Sequence, residues 1–256
     1  MRKLSFSLLF PLIFGAIALA EEHHHAEAKA APKVASTPAA NHAAKAVAPA
    51  SAAAHGSHGA PAVQGPDAAQ ALNILMQGNQ RFINDLMDKG HKNSDRRIEI
   101  AKGQHPIAIV VCCSDSRVPP EQVFDVGLGD IFVVRVAGNV LDSIGMGSIE
   151  YAAAHLNVQL VVVLGHERCG AVTAAISGDP APAHVLAIVE AIQQNLAGTT
   201  PAAGDAVDQA VCFNASAVAR QVSSSAPILK DLVTAGTLKV VAARYDLDEG
   251  TVKLLP

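Results

Sequence analysis

The 256-residue sequence has no tryptophan, two tyrosines and seven phenylalanines. With aromatics this sparse, no stretch interleaves them with basic residues. Nineteen Lys and Arg against twenty-three Asp and Glu leave a formal charge of -4, so a basic stripe is missing too. Both absences argue against nucleic-acid binding. G-x-G occurs at Gly127-Leu128-Gly129 and Gly145-Met146-Gly147, but neither has a third glycine three residues on, and no G-K-[ST] exists. These glycines suit tight turns and a helix entry rather than a phosphate cradle.

Long apolar runs are also scarce. One stretch, Leu8 to Leu19, follows Arg2 and Lys3 and ends in Ala18-Leu19-Ala20, an A-x-A cleavage site. Residues 1–20 therefore read as a secretory signal. The run falls short of the about 20 apolar residues a membrane span needs, and Pro11 interrupts it; an uncleaved anchor is the competing reading. No cysteine follows the cleavage site to carry a lipid. The expectation is an exported protein, periplasmic or secreted, with no stable membrane span after cleavage.

Residues 21–66 are built from Ala, Pro, His, Lys and Ser. That composition cannot bury enough apolar area to offset chain entropy, so a disordered tail is expected. Pro32, Pro38, Pro49 and Pro61 would break any alanine-rich helix. His23, His24, His25, His42, His55 and His58 lie here. They either collect metal loosely or ride on a solvated tether; the second is favoured, because a His tract is only a compositional signal. Residues 67–256 are about the size of one α/β domain.

The apolar periodicities expected in that domain alternate between strand and helix. Asp67 opens a helix in which Leu72, Leu75, Met76, Phe82, Ile83 and Leu86 share a spacing, closed by Gly90. A short helix is expected over 93–102 and a strand over 106–112, and Pro119-Pro120 rules out helix there. A strand follows at 131–136, then a helix capped by Ser143 that buries Ile149, Ala152, Ala153 and Leu156. The third strand is 158–164, after which Gly165 turns the chain. Helices at 169–176, 183–197, 206–222 and 228–234 precede a last strand over 238–243. This alternation predicts an α/β fold: a mostly parallel sheet flanked by helices. Asn214-Ala215-Ser216 matches a glycosylation sequon but falls inside a predicted helix.

There are four cysteines, Cys112, Cys113, Cys169 and Cys212. In an oxidising compartment an even count often means disulfides. The company of Cys113 and Cys169 argues for metal instead. Cys113-Ser114-Asp115-Ser116-Arg117 follows the first strand, and His166-Glu167-Arg168-Cys169 follows the third. Two thiolates and an imidazole are ligands zinc prefers, and three protein ligands is the pattern of a catalytic site that leaves a position for water. Ligands at the carboxyl ends of buried strands also lie where open α/β sheets place their sites. Spacing alone leaves a redox-active dithiol or two buried thiols as other readings. Cys112 and Cys212 are either apolar fillers or a pair.

Two thiolates cancel the charge of a divalent ion, so such a centre acidifies water less than a three-histidine site. It needs local help, and Asp115 and Arg117 are the candidates. A carboxylate near the metal can accept a proton, or it can bind the metal and close the site. A guanidinium that grips the carboxylate bidentately favours the first. A plain loop salt bridge is the bland alternative.

Cys113-Ser114-Asp115-Ser116-Arg117 and His166-x-x-Cys169-Gly170 together resemble the signature of the β-class carbonic anhydrases. The likeness extends to Gly78-Asn79-x-Arg81-Phe82, Gln104-His105-Pro106, Arg135-Val136-Ala137-Gly138-Asn139, Ser148-Ile149-Glu150-Tyr151 and Tyr245-Asp246-Leu247, and so covers roughly residues 67–256. The resemblance implies a lyase with one Zn2+ per subunit, on Cys113, His166 and Cys169, that interconverts carbon dioxide and bicarbonate through hydroxide on the metal. It implies a catalytic Asp115–Arg117 dyad and a substrate pocket with Gln104, Phe132 and Tyr151. It also implies a pocket formed between two subunits, hence a homodimer or tetramer. Some members hold a regulatory bicarbonate with a Trp-Arg-Tyr trio and close the site with the aspartate; a chain without tryptophan is expected to keep Asp115 off the metal. Alternatives are an exported zinc-binding or zinc-reservoir protein without catalysis, and the same fold acting on another heteroallene such as carbon disulfide.

Overall fold

A computed structural model describes residues 65–88, 91–200 and 204–256. The expected signal, residues 21–64 of the His-rich tail and Gly90 lie outside them. Five strands form one sheet: β1 (Ala108–Cys112), β2 (Ile131–Arg135), β3 (Leu160–His166), β4 (Lys239–Tyr245) and β5 (Val252–Leu254). Their order is β2-β1-β3-β4-β5. The first four run parallel, with Val110 opposite Val133 and Val162, and Val162 opposite Val241. β5 runs antiparallel to β4, pairing Tyr245 with Val252. Sequence reading missed this edge strand because three residues carry too little periodicity to stand out.

The α-helices among the described residues are α1 (Ala68–Ile83), α2 (Ser94–Ile100), α3 (Pro120–Val123), α4 (Ser143–His155), α5 (Gly170–Ser177), α6 (Val185–Leu196), α7 (Ala206–Ser224) and α8 (Ile228–Thr234). Strands β1 and β3 are buried along their whole length, which explains their unbroken valine-rich runs. Successive side chains alternate faces. Ile109, Val111, Val161 and Val163 pack with Ile149 of α4, Val218 of α7 and Leu229 of α8. Val110, Cys112, Val162 and Leu164 pack on the other face with Ala71 and Leu75 of α1 and with Val123 and Phe124.

Local chemistry sets the helix ends, and several expectations need correcting. Asp67 accepts from Gln70 N while Gln70 Oε1 accepts from Asp67 N, a capping box that starts α1. The helix stops at Ile83, not at Gly90. Asn84 caps it, Asp85 takes a φ of 57°, and Leu86 lies exposed beyond the end. Pro119-Pro120 does not exclude helix, because Pro120 occupies the first position of α3, where the missing N–H would be unpaired anyway. The cap of α4 is Asp142, accepting from Gly145 N, and Ser143 is the first helical residue. Gly165 and His166 stay in β3, opposite Arg244 and Tyr245, so the chain turns later, at Arg168 with a φ of 50°.

One glycine decides how α1 seats. A Cβ on Gly78 would lie 1.7 Å from the Phe124 carbonyl oxygen, so no other residue allows this approach of α1 to the end of α3. Beside it, Asn79 is buried and bridges three backbone groups. Its Nδ2 donates to the carbonyls of Val123 and Gly250, and its Oδ1 accepts from Val252 N, tying α1 to α3 and β5. Among the described residues no helix is long and apolar enough to cross a membrane.

Candidate metal centre

The parallel register places the ends of β1 and β3 side by side, with Cys112 opposite Leu164. Cys113 is the next residue after β1, His166 is the last of β3, and Cys169 is the residue before α5. All three are buried, and one ligand atom from each lies within 4.8 Å of the others. The topology thus brings together the residues that spacing singled out.

The donor chemistry of the triad fits zinc. His166 Nδ1 is 2.9 Å from the Glu167 carbonyl oxygen, which can only accept, so Nδ1 carries the proton. Nε2 is then a bare lone pair, and it is fully buried without a partner. Such an orphan asks for a ligand. Cys113, His166 and Cys169 would hold a zinc ion through two sulfurs and one imidazole nitrogen, donors that zinc prefers.

The two sulfurs behave oppositely. Cys113 is pulled well below the usual thiol value, first by hydrogen bonding from Cys169, against the cost of burial, and then by the N–H groups of Asp115 and Gly138. Those N–H groups lie 3.4 and 3.2 Å from its Sγ. Cys169 is driven up by its bond to Cys113 and by burial. A second thiolate beside the first is electrostatically opposed, and a divalent cation between them is what would let both ionise. Cys112, one residue away, is pushed up to about 12 by burial and points into the α1 face as an apolar filler. All four cysteines are free, so Cys112 and Cys212 are not paired.

Asp115 and Arg117 form the expected grip. Arg117 Nε and Nη2 donate to Asp115 Oδ1 and Oδ2 at 2.9 and 2.8 Å, and Arg117 N adds a third bond of 2.9 Å to Oδ1. Those bonds from Arg117 hold the carboxyl well below the usual carboxylate range. Asp115 Oδ2 lies 3.9 Å from His166 Nε2, beside the triad rather than out on the loop. Arg117 is half exposed, so the pair adds little to stability and its importance is geometric.

Sequence reasoning gave no role to the groups that hold this loop. Arg135, at the end of β2, donates to the carbonyls of Cys113 and Asp115 at 2.9 and 2.7 Å. An arginine closing an apolar strand was the available signal. Glu167, Asp246 and Asp248 also cluster. Arg168 binds Asp248 twice at 2.8 Å, and Arg244 reaches Asp246 and Glu167, so the cluster braces the His166–Cys169 turn.

The remaining sequence-predicted residues sit elsewhere in the chain. Gln104 is exposed ahead of β1, at the opposite end of that strand from Cys113. Phe132 pairs with Ile109, three residues short of the Cys112–Arg135 pair, or about 10 Å along the strand. Its ring is 6.4 Å from that of Tyr151, which is exposed on α4. Within one chain these three therefore do not join the triad.

The carbonic anhydrase family model matches residues 108–252. Carbonic anhydrase 2 of Mycobacterium tuberculosis is 39% identical over 191 residues, covering 72% of this chain and 91% of that protein. The carbonic anhydrase of Mycolicibacterium smegmatis is 37% identical over 188 residues, with the same coverage of both chains. Among solved structures, a Coccomyxa β-carbonic anhydrase in complex with acetazolamide superposes with a TM-score of 0.57 at 29% identity, covering 72% of this chain and 86% of the other.

Proposed function

This chain belongs to the β-class carbonic anhydrases, and from that membership we propose that it hydrates carbon dioxide reversibly with one zinc ion held by Cys113, His166 and Cys169. The buried, unpartnered Nε2 of His166 beside two cysteines is the observation that supports the metal. Zinc there would supply a Lewis acid that makes water a better nucleophile.

The chain's own residues do the rest. Two thiolates neutralise the ion, so the site works best on the alkaline side. Asp115, kept ionised and turned toward Arg117, stays off the metal and accepts a hydrogen bond that orients the attacking water, whose proton leaves to the buffer. Gln104 donates its amide to a substrate oxygen as charge develops, and Phe132 with Tyr151 forms an apolar wall that favours an uncharged gas over water. These three reach the triad from a second copy of the chain. Ile144, Gly147, Tyr151 and Ala154 form an exposed stripe at helical spacing along α4, a surface suited to such a copy. A homodimer is the least assembly this requires; sedimentation velocity distinguishes it from a tetramer. The carbonic anhydrase relatives support this substrate over carbon disulfide or a catalytically idle zinc store.

We also place the mature enzyme outside the cytoplasm, on the signal-like residues 1–20. Protein recovered from the cytoplasmic fraction with residues 1–20 intact by mass would count against this. For the chemistry, metal analysis and stopped-flow hydration are read together. About one zinc per chain and rapid proton release are expected. Asp115→Asn should keep the metal and lose most of the rate. Fully metallated protein that leaves carbon dioxide hydration at its uncatalysed rate would overturn the reading.

A further inference from the structure

Three amides, from exposed Gln221 through half-buried Asn195 to buried Asn214, form a line that ends behind the metal centre. Gln221 Nε2 donates to Asn195 Oδ1 at 2.6 Å, and Asn195 Nδ2 donates to Asn214 Oδ1 at 2.8 Å. Asn214, fully buried on α7, donates through Nδ2 to the Gly138 carbonyl at 2.8 Å. That carbonyl can only accept, so the direction of the Asn214 amide is fixed by its partners. Gly138 in turn donates its N–H to Cys113 Sγ at 3.2 Å.

Gly138 is where such an anchor matters. It sits in the one-turn 3-10 segment Ala137–Asn139 with φ 66° and ψ 17°, a conformation glycine enters and leaves cheaply. A Cβ there would lie 2.6 Å from Ile192 Cδ1 and 3.2 Å from Ala171 Cβ, and at this positive φ a side chain would be strained as well, so packing and backbone both disfavour a stiffer residue. The turn therefore cannot be rigidified by its own side chain and must be held from outside. The accepting carbonyl and the donating N–H belong to adjacent peptide units, so Asn214 acts by position rather than by polarising one peptide.

We propose that Asn214 is a positioning residue for the metal centre: by holding the Gly138 carbonyl it aims the Gly138 N–H at the Cys113 sulfur, and Asn195 sets its amide. This rests on Cys113 being a zinc ligand. Donors to a metal-bound sulfur tune how firmly the metal is kept, and losing such a partner commonly costs about 10- to 100-fold in affinity.

Asn79 supplies the matched control, because it is an equally buried asparagine whose hydrogen bonds go to the backbone of Val123, Gly250 and Val252 and not to the triad or Gly138. The test compares full-length wild type with Asn214→Leu, Asn195→Ala and Asn79→Leu. It measures zinc release to a chelator, the sulfur-to-cobalt charge-transfer absorption of the cobalt-substituted protein, and Tm. Asn214→Leu should release zinc about ten-fold faster and shift the cobalt band. Asn195→Ala should move both readouts the same way by a smaller factor, with little change in Tm. Asn79→Leu should lower Tm and leave both metal readouts alone. Should Asn214→Leu not fold, Asn195→Ala decides. Metal readouts in the Asn195 and Asn214 variants identical to wild type would overturn the assignment while leaving the zinc site intact. Wild-type protein that retains neither zinc nor cobalt would overturn both readings together.

Discussion

Removing the Arg117 side chain tests the geometry of the dyad directly. In the folded chain the guanidinium makes two of the three bonds that Arg117 gives Asp115; the third comes from its backbone N–H and survives any substitution. Arg117→Ala therefore leaves Oδ1 with one donor and Oδ2 with none from this residue. A carboxylate held at one oxygen swings about that bond, and Oδ2 already lies only 3.9 Å from His166 Nε2. It is then free to move onto the metal or away from the water. A misplacement of about 1 Å can cost on the order of 100-fold in rate, which is the fall expected in kcat/KM for Arg117→Ala. Arg117→Lys keeps a cation but loses the planar fork, and should fall about 10-fold. Folding should change little, because the guanidinium is half exposed. The assay is stopped-flow hydration with a pH indicator on samples of matched zinc content. If the alanine variant keeps wild-type kcat/KM within a factor of about two, far below the 100-fold expected, a restrained Asp115 is not what the reaction needs.

Other expectations rest on the same geometry. Asn79→Leu strands two carbonyls and one N–H in the interior; this should cost about 3 kcal/mol and lower Tm on the order of 6–12 °C, read by differential scanning calorimetry. The pH–rate profile should rise from mildly acid to alkaline pH. Asp115 does not supply that rise. Its folded pKa lies below the unfolded value of about 3.9, so its stabilising share is complete above that value and is lost only as pH falls through the depressed folded one. A flat profile over that range would contradict the two-thiolate account. Ile144→Asp puts a charge on the exposed stripe of α4, where Ile144 is 78% exposed. It should shift sedimentation toward monomer and lower activity together; a fully active monomer would refute a pocket shared between copies.

Much of this was legible in the sequence. The valine-rich strands β1 and β3 announce themselves because burial on both faces leaves no room for polar alternation, and the ligands at their ends came with them. The parts that were not legible depended on contacts distant along the chain. Gly165 looked like a turn, yet pairing with Arg244 keeps β3 extended through His166. Pro120 looked like a helix breaker because its use as a first helical residue depends on whether Glu121 to Val123 coil behind it. Arg135 stands in a stretch that carries the family resemblance and Asn214 heads a sequon, but neither motif says that the side chain reaches the site; packing of a strand end and a helix flank brings them there. Gln104, Phe132 and Tyr151 were grouped by resemblance, and one protomer does not gather them.

Asn214 also heads an Asn-Ala-Ser triplet whose asparagine is completely sealed in the folded chain. Oligosaccharide transfer there could succeed only on a chain not yet folded, and a sugar once attached would have no space beneath α7. Production through a eukaryotic secretory route thus sets a race between modification and collapse of that layer, and the glycosylated losers would be unable to close the wall behind Cys113.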